Sequence, residues 1–151
     1  MDDRDFMNAA LQLAALAAAE GEVPVGAVVT LGGEIVGRGR NRREKSKNAL
    51  AHAEIEAIND ACSNLGGWRL WQCDMFVTLE PCPMCAGAII NSRIKRVVFG
   101  AYDKKSGSCE SLVRLFDLPY NHKPQLEGGF MQEECSAILS GFFKQLRDGK
   151  K

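Results

Sequence analysis

The 151-residue chain carries no net charge, because nineteen Lys and Arg balance nineteen Asp and Glu. That balance argues against wholesale, sequence-blind binding to nucleic acid and leaves room only for a local basic patch. No apolar run approaches the roughly 20 residues of a membrane-spanning helix. No internal repeat, low-complexity tract, long linker or sharp change of composition interrupts the chain, so the simplest reading is one domain over residues 1–151. The first residues, Met1-Asp2-Asp3-Arg4-Asp5, have neither the basic start of a secretory signal nor the Arg-rich character of a transit peptide, and the expected compartment is the cytoplasm. With 46% apolar and 25% charged residues, the composition is that of a soluble globular domain and excludes collagen-like or strongly disordered classes. Six cysteines in an intracellular chain read as metal ligands, catalytic groups or core filler rather than as a disulfide frame.

Periodicity predicts an Ala-rich helix over 4–20, with Phe6, Ala10, Leu13 and Ala17 on one stripe. A strand over 23–30, a Gly32-Gly33 hairpin signal and a returning strand over 34–39 follow. Pro24 suggests an edge or an unpaired first residue, and Gly26 a close approach of a ligand or another element. Residues 38–47 read as a loop with six basic side chains and one acid. A helix is expected over 51–63 with Ile55, Ile58 and Cys62 inward, then a strand over 74–80. A helix over 82–92, a strand over 96–101, a short helix near 109–116, a last strand over 125–130 and a closing helix over 132–147 complete the reading. Strand–helix alternation in the middle of the chain implies a mixed sheet with parallel strands covered by helices on both faces. The direction of the last strand is not readable.

Two short segments carry chemistry. Cys82 and Cys85 sit three apart where a strand hands over to a helix, so both sulfurs fall on one face near the positive helix end that favours thiolates. That spacing suits zinc, and equally a redox pair or two core cysteines. His52 and Glu54 open the preceding helix and, taken alone, read as surface residues of a first turn. The crossover rule changes that reading, because it brings the starts of consecutive helices after parallel strands to one sheet edge, where His52 meets Cys82 and Cys85. One imidazole and two thiolates make three protein ligands, and catalytic zinc keeps its remaining position for water. Cys62, Cys73, Cys109 and Cys135 are scattered singly, and His122 is remote in sequence. His52 and Glu54, two apart on a helix, do not share one metal, so Glu54 suits a place beside the water, as its proton acceptor.

His52-Ala53-Glu54 followed by Pro81-Cys82-x-x-Cys85 resembles the H-x-E, P-C-x-x-C signature of the cytidine deaminase-like zinc deaminases. Glu22 to Val28, Ala51 to Glu54, Val77 to Ala88, Ser92-Arg93-Ile94, Val97 to Ala101 with Asp103, and Asn121-His122 together resemble the bacterial tRNA-specific adenosine deaminases over nearly the whole chain. The resemblance implies a three-layer α/β/α fold with a five-stranded mixed sheet. It also implies one Zn2+ per subunit, a homodimer, and conversion of adenosine to inosine at the wobble position of a tRNA anticodon stem-loop. It makes His52, Cys82 and Cys85 the zinc ligands and Glu54 the proton shuttle. Asn41 then hydrogen-bonds the flipped base, Val25 walls its pocket, Asp103 contacts a ribose hydroxyl, and Asn121 and His122 contact neighbouring nucleotides. Val25 also reads as a core strand residue, and Asn41 and Asp103 as turn residues bonding their own backbone.

The basic run at 38–47 and the tail Lys144, Arg147, Lys150 and Lys151 are candidates for phosphate contacts or plain solvated surface. Glu110 and Tyr102 depart from the family pattern and bear on RNA docking, not on the metal chemistry. The same zinc core also serves deaminases of free bases or nucleosides, such as guanine or cytosine. A noncatalytic zinc-stabilised RNA-binding module is the third reading, and the presence of Glu54 speaks against it.

Overall fold

The structure, a computed structural model, describes residues 1–149. The first helix, α1 (Asp3–Ala19), starts on a reciprocal cap in which the Asp2 and Asp5 carboxylates each accept the other's backbone N–H, satisfying two otherwise orphaned donors. Strands β1 (Gly26–Leu31) and β2 (Glu34–Arg40) form a hairpin whose Gly32 and Gly33 both hold positive φ, as a tight primed turn demands. A single turn, α2 (Arg43–Ser46), precedes α3 (Ala53–Leu65). Then come β3 (Asp74–Leu79), α4 (Pro83–Asn91), β4 (Arg96–Ala101), β5 (Gln125–Gly128) and α5 (Gln132–Gly149).

The five strands lie in the order β2-β1-β3-β4-β5. β1 is antiparallel to both β2 and β3, whereas β3, β4 and β5 are parallel. Alternate side chains feed two cores, as the pleat requires. Val29, Met75, Val77, Val97 and Phe99 pack with α3 and α4, and Val28, Phe76 and Val98 pack with α1 and α5. The result is the expected α/β/α sandwich around a five-stranded mixed sheet, and the last strand proves to be parallel.

The structure decides between several local alternatives and corrects others. Pro24 precedes β1, which is an interior strand, so the proline occupies an unpaired approach rather than an edge. The close neighbour of Gly26 is α1: a Cβ there would lie 1.9 Å from the Ala10 carbonyl oxygen. The inner face of α3 is Ala53, Ala57, Ile58 and Ala61, with Ile55 and Cys62 on its flanks. The reason lies in β2, where Gly37 and Gly39 allow the α3 backbone so near that a Cβ would meet the Ala57 and Ala53 carbonyls at 2.4 and 2.2 Å. Only small side chains fit that seam.

The short helix expected near 109–116 is a series of turns with one 3-10 turn at Leu115–Asp117. The N–H groups of Cys109, Glu110 and Ser111 donate to the Glu80 carboxylate, and the bonds that follow, from Leu112 N–H to Gly107 O and from Leu115 N–H to Ser108 O, do not follow a helical ladder. Lys150 and Lys151 lie outside the described residues.

Candidate active site

β2 and β3 run in the same direction on either side of β1, so the helices that follow them start at one edge of the sheet. His52 is the N-cap of α3, Cys82 is the N-cap of α4, and Pro83 opens α4 with its ring already set for the first turn. Cys85 follows two residues later and is fully buried. His52 Nδ1 stands 3.6 Å from Cys82 Sγ and 3.5 Å from Cys85 Sγ, and the three donor atoms all lie within 4.8 Å of one another. Among the described residues no fourth His, Cys, Asp or Glu joins the group.

A tetrahedral zinc with ordinary Zn–S and Zn–N bonds separates a sulfur from a nitrogen by about 3.6 Å. The side chains therefore already hold the spacing such an ion requires, and two soft sulfurs with one imidazole match its ligand preference.

The electrostatics agree with that use. A hydrogen bond from Cys85, together with His52, brings the Cys82 thiol down to about 4 despite its burial. Cys85 is raised, first by its hydrogen bond to Cys82 and then by burial. Contact with Cys82 raises His52 against its burial. Glu54 is 4% exposed, and burial above all, with the Cys82 charge, pushes its carboxyl up to about 7. A thiolate, an imidazole and a carboxyl that holds its proton near neutrality thus converge at one sheet edge.

A cavity of about 500 Å³, large enough for a nucleobase, is lined by His52, Glu54 and Cys82, with Val25, Asn41 and Asp103 on its walls. Val25 is at once a core residue and a wall. Asn41 is buried, and its Oδ1 accepts the Ala53 N–H at 3.0 Å. That bond ties Asn41 to the start of α3 and leaves its Nδ2 donors for a ligand. Asp103 accepts from the N–H of Lys105 and Ser106 and from the Ser106 hydroxyl, so its carboxylate shapes its own loop.

Asn121 and His122 are not part of this cavity. Asn121 is exposed, and His122 Nε2 lies 2.7 Å from the Ile94 carbonyl oxygen. Both precede β5, whose start at Gln125 pairs with Arg96 at the start of β4. The cavity stands at the other end of β4, five residue steps or about 17 Å away.

The basic run is largely spoken for. Arg40 and Lys45 pair with Glu20, and Arg42 pairs with Glu56. Arg43, Lys104 and Lys105 line the cavity instead. Tyr102, singled out in the sequence for RNA docking, lines the cavity, and sequence reasoning passed over Leu139 and Phe143 of α5 and Glu80. Of these only Glu80 left a signal, as a carboxylate two residues before the first cysteine of the pair.

A fold with consecutive helix starts holding His, Cys and Cys beside a buried Glu defines a deaminase. The model of the MafB19-like deaminase family matches residues 1–147, and the chain belongs to that family. It is 46% identical over 150 residues to the tRNA-specific adenosine deaminase of Bacillus subtilis (strain 168), across 99% of this chain and 93% of that protein. It is similar, with a TM-score of 0.88 and 44% identity, to a solved structure from a study of A-to-I editing by tRNA:A34 deaminases at the wobble position of transfer RNA. That match covers 90% of this chain and 99% of the other. The guanine deaminase from Bacillus subtilis is similar at 30% identity and a TM-score of 0.66, over 98% of this chain and 95% of that one.

Proposed function

We propose that this chain is a zinc-dependent hydrolase that converts adenosine to inosine at the wobble position of a tRNA anticodon, working as a cytoplasmic homodimer of one-domain subunits. The observation that carries the reading is the triangle of His52, Cys82 and Cys85 beside the buried Glu54 carboxyl. The identity to tRNA-specific adenosine deaminase, 46%, against 30% to guanine deaminase, favours the RNA substrate over a free base. Among the described residues no helix is long and apolar enough to cross a membrane.

The net reaction takes up water: the bond from C6 of adenine to its amino nitrogen breaks, a C6–O bond forms, and ammonia leaves. His52, Cys82 and Cys85 would hold a zinc ion, and that ion would supply the Lewis acidity that makes water a nucleophile near neutral pH. Two thiolate ligands would blunt that acidity, and Glu54 would offset the loss by accepting the water proton. It then delivers protons to the ring nitrogen and to the departing ammonia. Asn41, anchored through Ala53, offers its Nδ2 donors to the flipped base, and Val25 supplies an apolar wall. Anticodon-loop bases suit such a cavity because they are already single-stranded and cost little to unstack.

Arg43, Lys104 and Lys105 at the cavity are placed to meet the phosphates that flank the flipped nucleotide. Asp103 reaches the ribose from its bonded turn. Asn121 and His122, about 17 Å off along the strand, meet nucleotides further along the loop or a stem-loop held by the second subunit. Support for a homodimer comes from large exposed apolar side chains, among them Trp68, Trp71, Leu112, Leu118 and Tyr120, since such surface marks interfaces.

Incubation with an anticodon stem-loop bearing adenosine at the wobble position, followed by mass spectrometry of the nucleosides, should show inosine at that position alone. Turnover of free bases with the stem-loop untouched would replace this reading with the free-base one. Sedimentation should give twice the chain mass, and elemental analysis one zinc per chain.

A further inference from the structure

At the sheet edge shared with His52, Cys82 and Cys85, the wall formed by residues 102–111 contains almost no regular structure, yet it supplies Tyr102, Asp103, Lys104, Lys105 and Ser106 to the cavity. Something other than a helical or strand ladder must hold it, because a loop bonded only to itself opens readily. The Glu80 carboxylate, 2% exposed, stands behind it. Its Oε1 accepts the Asp103 N–H at 3.1 Å and the Ser111 hydroxyl. Its Oε2 accepts the N–H groups of Cys109, Glu110 and Ser111 at 3.1, 2.8 and 2.9 Å. Five donors from both ends of one loop thus converge on one side chain.

The loop fits the carboxylate closely enough to specify a glycine. A Cβ on Gly107 would lie 2.4 Å from Glu80 Oε1 and 2.4 Å from the Asp103 carbonyl. Backbone bonds secure the same join on either side, from Glu80 N–H to Ala101 O and from Ser108 N–H to Pro81 O. No other side-chain type of this size can take all five donors, since an amide has one oxygen and turns an NH2 toward the remaining N–H groups.

We infer that Glu80 is a positioning residue for substrate binding: its carboxylate clamps the 102–111 loop into the shape that presents Asp103, Lys104 and Lys105 to the nucleotides flanking the reacting base. The inference rests on the proposed tRNA reading for the identity of the ligand, but not for the clamp. It separates substrate holding, done through Glu80, from proton transfer, done by Glu54.

The test is Glu80→Gln in the zinc-loaded protein, with an anticodon stem-loop as substrate. KM should rise at least tenfold while kcat stays within threefold of the parent and zinc content stays at one per chain. Amide hydrogen exchange, read by mass spectrometry, should quicken across 103–111 and remain unchanged in the 52–58 and 83–90 segments. Gly107→Ala, which drives a methyl into the clamp without removing it, should shift KM and exchange the same way to a smaller degree, and covers the case in which Glu80→Gln fails to fold. Unchanged exchange across 103–111 in both variants would overturn the clamp. So would an unchanged KM, or zinc loss with a fallen kcat at parental KM, which would assign Glu80 to the cysteine segment. Failure of the parent protein to turn over the stem-loop would strike the functional reading alone, because exchange still decides whether Glu80 holds the loop.

Discussion

Replacing Glu54 with Gln should cost the reaction and benefit the fold, and both effects follow from the burial of one side chain. Glutamine keeps the shape and loses the ability to accept and return a proton. General acid–base transfer contributes about 10² to 10⁴ in rate, so kcat should fall by that factor, or ~3–5 kcal/mol of transition-state stabilisation. Stability moves the other way in protein stripped of metal by a chelator. Burial raises the carboxyl from an ordinary 4.5 to about 7. Between those values the folded chain binds more protons than the unfolded chain, so stability falls as pH rises through the window and levels off above it. The ionised carboxyl then burdens the fold by on the order of 3 kcal/mol. The metal-free Glu54→Gln protein should therefore melt higher than its parent at pH 8, by up to roughly 6–12 °C for a domain of this size, and equally with it at pH 4. Calorimetry across that range, with a stopped inosine assay on the loaded enzyme, checks both halves. A variant with near-parental turnover, or one whose melting advantage is the same at pH 4 as at pH 8, would refute the reasoning.

Cys82→Ser should abolish stoichiometric zinc and with it activity, read by elemental analysis, since a hydroxyl does not replace a thiolate of lowered pKa. Gly39→Ala places a Cβ 2.2 Å from the Ala53 carbonyl; pushing α3 off the sheet should cost about 1–3 kcal/mol in denaturant melts and lower kcat, because His52 and Glu54 ride on that helix. Arg40 and Lys45 hold Glu20 at about 2, so their contribution is present above the ordinary 4.5 and lost as pH falls from there toward 2. Glu20→Gln should flatten the melting temperature over that acid window. Arg43→Ala should weaken stem-loop binding and reduce its logarithmic salt slope by about 0.7, the share of one single-strand phosphate contact.

The core of the site was readable before any fold was known, and the reason is local. Cys82 and Cys85 are three apart on one helix start, and His52 and Glu54 on another, so their spacing is set by helix geometry alone. Joining the two pairs required only the direction rule for strands followed by helices. The inner face of α3 was misjudged because periodicity ranks large apolar residues inward, whereas the glycines of β2 admit only Ala53, Ala57 and Ala61. The segment expected as a helix at 109–116 is instead a run of turns pinned to Glu80, about thirty residues earlier in the chain, with Leu112 and Leu115 bonded outside any helical ladder. The basic run could be read as a phosphate surface because the acids at positions 20 and 56, which pair with three of its six cations, are distant in sequence.

Short-range order in the residues, together with the direction rule for strands followed by helices, was thus enough to establish the layered architecture and to bring His52, Cys82, Cys85 and Glu54 to one sheet edge. Long-range packing alone decided which cations remain free, where Asn121 and His122 stand relative to the cavity, and how an irregular loop becomes a wall. Those outcomes depend on pairings between groups fourteen or more positions apart, and periodicity carries no information about such pairs.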